Sequence, residues 1–136
     1  MNKYAHFDQN DYPVVIIRFN SFEPTLAEFN EYLNELKKLL SEKKITVQIY
    51  DASNSKYLSS QLRIRQGNWI KENNALIKQY TLGTAYIIPS AMARMMLNGI
   101  FLIQQPTVKY TVVATMKEAK EWAAKLIINQ EVKVLP

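Results

Sequence analysis

A chain of 136 residues, 48% hydrophobic and 21% charged, has the balance of one ordinary globular domain, read here as residues 1–136. It has no cysteine, which excludes disulfides, thiol nucleophiles and cysteine-ligated metals together and fits a reducing, cytoplasmic compartment. The net charge of +5 is spread without a run of like charges, an arginine-rich arm or an RNA-binding aromatic motif, so a solvated face fits better than a nucleic-acid partner.

The opening MNKYAHFDQND has no apolar signal core. Residues 3–7 and 14–19 are short apolar runs on either side of the turn-forming DQND, followed by Tyr12-Pro13. Together they predict a β-hairpin with the proline at the start of its second strand, where a missing N–H is tolerated.

In 24-PTLAEFNEYLNELKKLLSEKK-44, Thr25 and Glu28 have the spacing of a capping box. Leu26, Phe29, Leu33, Leu36 and Leu40 follow at helical spacing, with charged residues opposite, and predict an amphipathic helix. The alternating, β-branched 45-ITVQIY-50 predicts a strand.

A second helix is expected from Ser59 or Ser60 to about Tyr80, with Leu62, Trp69, Ile70, Leu76, Ile77 and Tyr80 on its apolar side. Arg63, Lys71 and Lys78 fall on another side, and Gly67 weakens the pattern slightly. Residues 82–88 read as a buried strand, and Pro89-Ser90 opens a third helix. Residues 108–114 form another strand, and Thr115 with Glu118 starts a final helix whose apolar side is Ala119, Trp122, Ala123, Leu126 and Ile127. Residues 129–136 are left as a tail.

The stretch 85-AYIIPSAMARMMLNGIFLI-103 is apolar enough to suggest a membrane span. Pro89, Ser90, Arg94 and Asn98 interrupt it, so a strand, a turn and a buried helix explain it better. The predicted order is ββαβαβαβα: an α/β fold with a mainly parallel sheet of about five strands, an N-terminal β-hairpin and about four helices.

Catalytic parts are scarce. His6 is the only histidine and lies near a chain end, so a two-histidine metal site is impossible. Three glycines, Gly67, Gly83 and Gly99, spell no phosphate-binding loop, and no serine stands in a G-x-S-x-G elbow. Glu28, Glu31, Glu35 and Glu42 fall on the charged side of the first helix, where solvated acids are the default. The chain therefore reads as non-enzymatic, with no catalytic residue, cofactor or metal assigned.

One loop stands out in 50-YDASNSKYLSSQLRIR-65. Asp51 ends a strand where open α/β sheets place their ligand crevice, and it equally suits accepting hydrogen bonds from the following loop. Ser59 or Ser60 would cap the second helix, and a phosphate there would suit the helix's positive end.

PVVIIRF, the strand ending in DAS, QLRIRQGNWIKENN, LGTAYIIPSA and TMKEAKEWAAKL together resemble the STAS domains, named for sulphate transporters and anti-sigma-factor antagonists. The resemblance is closest to a stand-alone bacterial branch and spans a core of about residues 12–127. It implies a small α/β domain that works by binding other proteins, in some members under control of serine phosphorylation. The antagonists' D-x-S-like stretch matches Asp51-Ala52-Ser53, and their D-S-S-G falls on Ser59-Ser60-Gln61-Leu62. The family's phosphoacceptor position is thus Gln61 here, which leaves neighbouring Ser60 as the candidate for modification.

The third predicted helix shows only Arg94 and Asn98 as a clear polar face. Leu97, Ile100 and Phe101 are expected against the sheet, and Met92, Met95 and Met96 are candidates for an adaptable interface. The first expectation is a regulatory protein-interaction module. It would bind an unidentified regulator or a second copy through Asp51, Ser53, Ser59, Ser60, Arg63 and this helix. The alternative is a carrier or sensor of a lipid or other apolar small molecule, with Trp69, Tyr86 and Phe101 lining a pocket of roughly 300 Å³ or more.

Overall fold

The computed structural model describes residues 2–55 and 58–134, with side chains as far as residue 130. Strands β1 (Ala5–Asp8) and β2 (Val14–Phe19) form the antiparallel hairpin, with Ala5 opposite Phe19 and Asp8 opposite Ile16. The Asp8 carboxylate accepts from the Asn10 N–H within the turn, and the Tyr12–Pro13 peptide is cis.

Helix α1 (Leu26–Ser41) begins at a complete capping box. Thr25 Oγ1 accepts from the Glu28 N–H at 3.2 Å, while Glu28 Oε1 accepts from the Thr25 N–H at 2.8 Å. Glu28 Oε2 also accepts from the Asn2 N–H, so this carboxylate is buried rather than solvated. Leu26, expected in the apolar stripe, is exposed because it lies in the first turn, ahead of the residues that meet the sheet; Tyr32 and Leu39 are buried instead.

Strand β3 (Thr46–Asp51) leads through the serine loop to α2 (Ser60–Glu72) and α3 (Asn74–Tyr80). One helix was expected over this span, and the break falls at Asn73. Its backbone N–H and its side-chain Nδ2 both donate to the Trp69 carbonyl, at 3.0 and 2.9 Å. Its own φ and ψ of −107° and 16° lie outside the helical well, as expected where a side chain competes for helix carbonyls.

Strand β4 (Thr81–Ile87), helix α4 (Ala91–Ile103), strand β5 (Lys109–Val113) and helix α5 (Met116–Val134) complete the fold, giving five helices among the described residues where about four were expected. Residues 129–134, expected as a tail, continue α5; Leu135 and Pro136 lie outside the described residues.

The strands lie in sequence order, β1-β2-β3-β4-β5, antiparallel at the hairpin and parallel thereafter. Stepping the same way across the sheet each time places the crossover helices on one face. Val15 and Ile17 of β2 meet Leu33 and Leu36 of α1, Leu62 and Trp69 of α2, and Ile100 of α4 there. The opposite face, with Ile16, Val47, Ile49, Ala85 and Ile87, is covered by Ala119 and Ala123 of α5.

Two glycines set how closely these layers approach. A Cβ at Gly83 would stand 2.5 Å from Leu126 and 2.8 Å from Trp122, both on α5. A Cβ at Gly67 would stand 2.6 Å from the Cβ of Ile103, so α2 and α4 touch at that point.

Candidate functional site

The C-terminal ends of β3 and β4 carry the serine loop and α4. At the end of β3, Asp51 Oδ1 accepts from the Ser53 N–H at 3.0 Å and from the Ser53 hydroxyl at 2.6 Å. The Ala52 N–H donates to the Ile87 carbonyl, which ties the loop to the end of β4. Asp51 and Ser53 therefore build the turn itself. Lys56 and Tyr57, within the candidate loop of residues 51–60, lie outside the described residues.

Ser59 is the α2 cap, its Oγ accepting from the Leu62 N–H at 3.3 Å. Ser60 is the first helical residue and is exposed, and its Oγ accepts from Arg63 at 3.0 Å. Arg63 also donates to the Leu58 carbonyl at 2.8 Å, and its side chain runs past Gly99 of α4. Its half-buried guanidinium thus braces the loop against the helix start, a more structural placement than a steering charge on an outer face.

Helix α4 is capped by Ser90, whose Oγ accepts from the Ala93 N–H, and is tied back by Arg94 donating to the Ile88 carbonyl at 2.9 Å. The three methionines divide. Met92 and Met95 are 55% and 72% exposed, whereas Met96 turns inward and accepts the Leu58 N–H on its sulfur at 3.1 Å. Leu102, which sequence reasoning passed over, is 90% exposed. Met92, Met95, Gly99 and Leu102 follow one another three or four residues apart, so they share one side of α4.

Beneath α4 lies an apolar cavity of about 150 Å³ between the sheet and the crossover helices. Trp69, Tyr86 and Phe101, named from the sequence as pocket-lining, all line it, as do Leu58 and Met96. Its floor is the alternate face of β3 and β4, where Gln48 pairs in register with Thr84 and Tyr50 with Tyr86. The Tyr50 and Tyr86 rings stack at 5.3 Å and 17°, and Phe101 meets Tyr86 edge-on at 5.9 Å.

Two of the four polar side chains on this floor, Gln48 and Tyr50, are satisfied within the protein. The Tyr50 hydroxyl donates to Gln48 Oε1 at 2.6 Å, and Gln48 Nε2 donates to the hydroxyls of Thr81 and Thr46 at 3.1 and 3.4 Å. Burial pushes the phenols of Tyr32, Tyr50 and Tyr86 upward. Thr84 opposes the rise at Tyr86, yet its Oγ1 makes no hydrogen bond of acceptable geometry among the described residues. Thr84 is only 5% exposed and lines the cavity. Sequence reasoning missed Gln48, Tyr50 and Thr84, although the alternation in ITVQIY and LGTAYII separates them from the aliphatic face.

Elsewhere, His6 is exposed on the edge strand β1, opposite Arg18. Among the described residues, no three His, Asp or Glu side chains gather in a way that could hold a metal, and no helix is long and apolar enough to cross a membrane.

No family model and no curated protein matches the sequence. Among solved structures, an anti-sigma factor antagonist from Mycobacterium paratuberculosis superposes with a TM-score of 0.54 at 13% identity, covering 88% of this chain and 92% of that one. The structure of this chain is similar to that protein over nearly its whole length, and its fold is STAS-like, as the resemblance in its motifs implied.

Proposed function

We propose that this chain is a non-enzymatic regulatory module that works in the cytoplasm by binding a protein partner. The contact face would comprise the loop of residues 51–60, the first turn of α2 and the outer side of α4. The observation that carries this reading is the apolar stripe of Met92, Met95 and Leu102, left in solvent on a helix whose opposite side is packed. The fold likeness to a protein that antagonises an anti-sigma factor supports a protein as the partner. Exposed Ser60 would place an added phosphate beside Arg63, where it would be favourably held and would change the charge of the same face.

Native mass spectrometry of the protein isolated gently from its host tests the reading. A second polypeptide or a second copy is expected on the wild type and is expected to be absent from a folded Met95→Lys/Leu102→Lys variant. A wild type that is always alone, or a partner indifferent to both substitutions, would overturn it. Arg63→Glu is a poorer probe, because Arg63 holds the Leu58 carbonyl and its loss would disturb the loop as well as the charge.

The cavity favours a second reading, a sensor of a small apolar molecule. Its volume of about 150 Å³ is half the roughly 300 Å³ typical of the smaller ligand pockets, and it suits a single ring better than a lipid chain.

A further inference from the structure

Helices α2 and α4 lie side by side and run the same way. Arg63 passes Gly99, where a Cβ would stand 3.7 Å from its Nε, and four residues further along both helices Gly67 meets Ile103. A glycine stands at each of these contacts, so the line where the two helices meet is notched on its outer side. Among the described residues, four of the nine large apolar side chains left in solvent belong to this pair of helices. Ile64 lies on α2 between the two contacts, and Met92, Met95 and Leu102 lie on α4, which concentrates apolar exposure there.

The spacing on α4 points to what would cover it. Met92, Met95, Gly99 and Leu102 are separated by three, four and three residues, the a/d spacing of a seam that packs against another helix. At 1.5 Å per residue the row is about 15 Å long, enough for four successive apolar positions of a partner helix. Gly99 leaves a gap in that row into which a larger side chain would fit.

Charge narrows the partner further. Helix α4 carries Arg94 and no acid, and α2 carries Arg63, Arg65 and Lys71 with a single acid, Glu72, at its last position. Lys71 is exposed one turn beyond Gly67, and Arg94 is exposed beside Met95 although its Nε is held by the Ile88 carbonyl. A second copy docked through this face would set basic residues against basic residues, whereas an acidic helix would meet complementary charge.

Deepening the regulatory reading on which it rests, we infer that the α2–α4 face is a docking seam for one acidic amphipathic helix of a partner protein. The helix lays its apolar row along Met92, Met95 and Leu102, places a bulky side chain over Gly99, and turns its carboxylates towards Lys71 and Arg94.

The test places a photo-cross-linking benzophenone side chain at position 95 or 102 of the full chain in its host, with exposed position 128 on α5 as the control. Positions 95 and 102 are expected to capture the same segment, with apolar residues every third or fourth position and an excess of Asp and Glu, and position 128 is expected to miss it. That segment, made as a peptide, is then expected to bind about three- to tenfold more weakly to Lys71→Glu at low salt, the span of one exposed charge reversed. A captured protein segment that is basic or uncharged, or a peptide indifferent to Lys71→Glu, would overturn the acidic helix and leave the protein-binding module standing. A second copy captured at both positions would do the same. Capture of lipid alone, or of nothing by folded protein, would overturn the docking seam and the contact face assigned to α4 together.

Discussion

Gly67 of α2 and Ile103 of α4 meet so closely that a methyl group on the glycine would stand 2.6 Å from the isoleucine Cβ. The contact accounts for a glycine in the middle of a helix, where it otherwise costs about 1 kcal/mol relative to alanine. It also sets α4 over the cavity at a fixed height. Gly67→Ala is expected to lower stability by about 1–3 kcal/mol through overpacking, in spite of the gain in helix propensity. Gly99→Ala, whose new Cβ would lie 3.7 Å from Arg63 Nε, is expected to be neutral or to stabilise by up to about 1 kcal/mol. Urea unfolding of the pair checks the contrast, and equal effects would mean that the helices do not meet at Gly67.

Thr84→Val makes a stability prediction independent of any ligand. A buried hydroxyl without a partner has lost its water and gained nothing, so an isosteric methyl should stabilise the ligand-free protein by about 1 kcal/mol. Chemical denaturation of protein freed of small molecules measures it. A loss of that size instead would mean that the hydroxyl has a partner within the fold.

Glu28 links the start of α1 to the N-terminal segment. The Thr25 N–H foremost, and then the Thr25 hydroxyl and the Asn2 N–H, hold its carboxyl below the usual carboxylate range. A depressed folded pKa gives stability that is complete above the unfolded value and is lost as pH falls through the folded one. The stability gap between wild type and Glu28→Gln is therefore expected to be constant at neutral pH and to narrow from about pH 4.5 downward. A gap independent of pH would exclude the ionised cap.

Four phenols, Tyr4, Tyr32, Tyr50 and Tyr86, are pushed upward chiefly by burial. A raised folded pKa gives stability that is complete below the unfolded value of about 10 and is lost as pH climbs towards the folded one. A spectrophotometric titration is expected to leave at least four of the eight tyrosines neutral through the ordinary range and to release them together with alkaline unfolding. Ionisation of all eight near pH 10 in folded protein would mean that the aromatic floor of the cavity is open to water.

Much of the fold was legible because local chemistry dictates it. The Thr25–Glu28 box, a serine cap at Ser59 or Ser60 and the alternation in β3 and β4 are short-range signals; the box and the strands appear where their spacing placed them, and the structure chooses Ser59 as the cap. The break at Asn73 was hidden, because Asn is tolerated in a helix and only its side-chain bond to the Trp69 carbonyl shows the competition. Leu26 and Met96 were misread for a related reason. Helical periodicity gives a face, while the neighbours decide which end of that face is covered.

The site was less legible. Sequence alone determined the order of strands and helices, the absence of cysteine chemistry, and an unusually apolar helix after Pro89. It could not decide which alternate face of β3 and β4 would be dry, since Gln48, Tyr50, Thr84 and Tyr86 would suit solvent equally well. Only the tertiary structure answered that, by stepping the strands in one direction and bringing the crossover helices over that face. Burial then left the hydroxyl of an ordinary threonine, Thr84, without a hydrogen bond of acceptable geometry among the described residues. The cause is long-range: hydrogen-bond satisfaction depends on everything that packs around an atom, whereas periodicity reports only its own element.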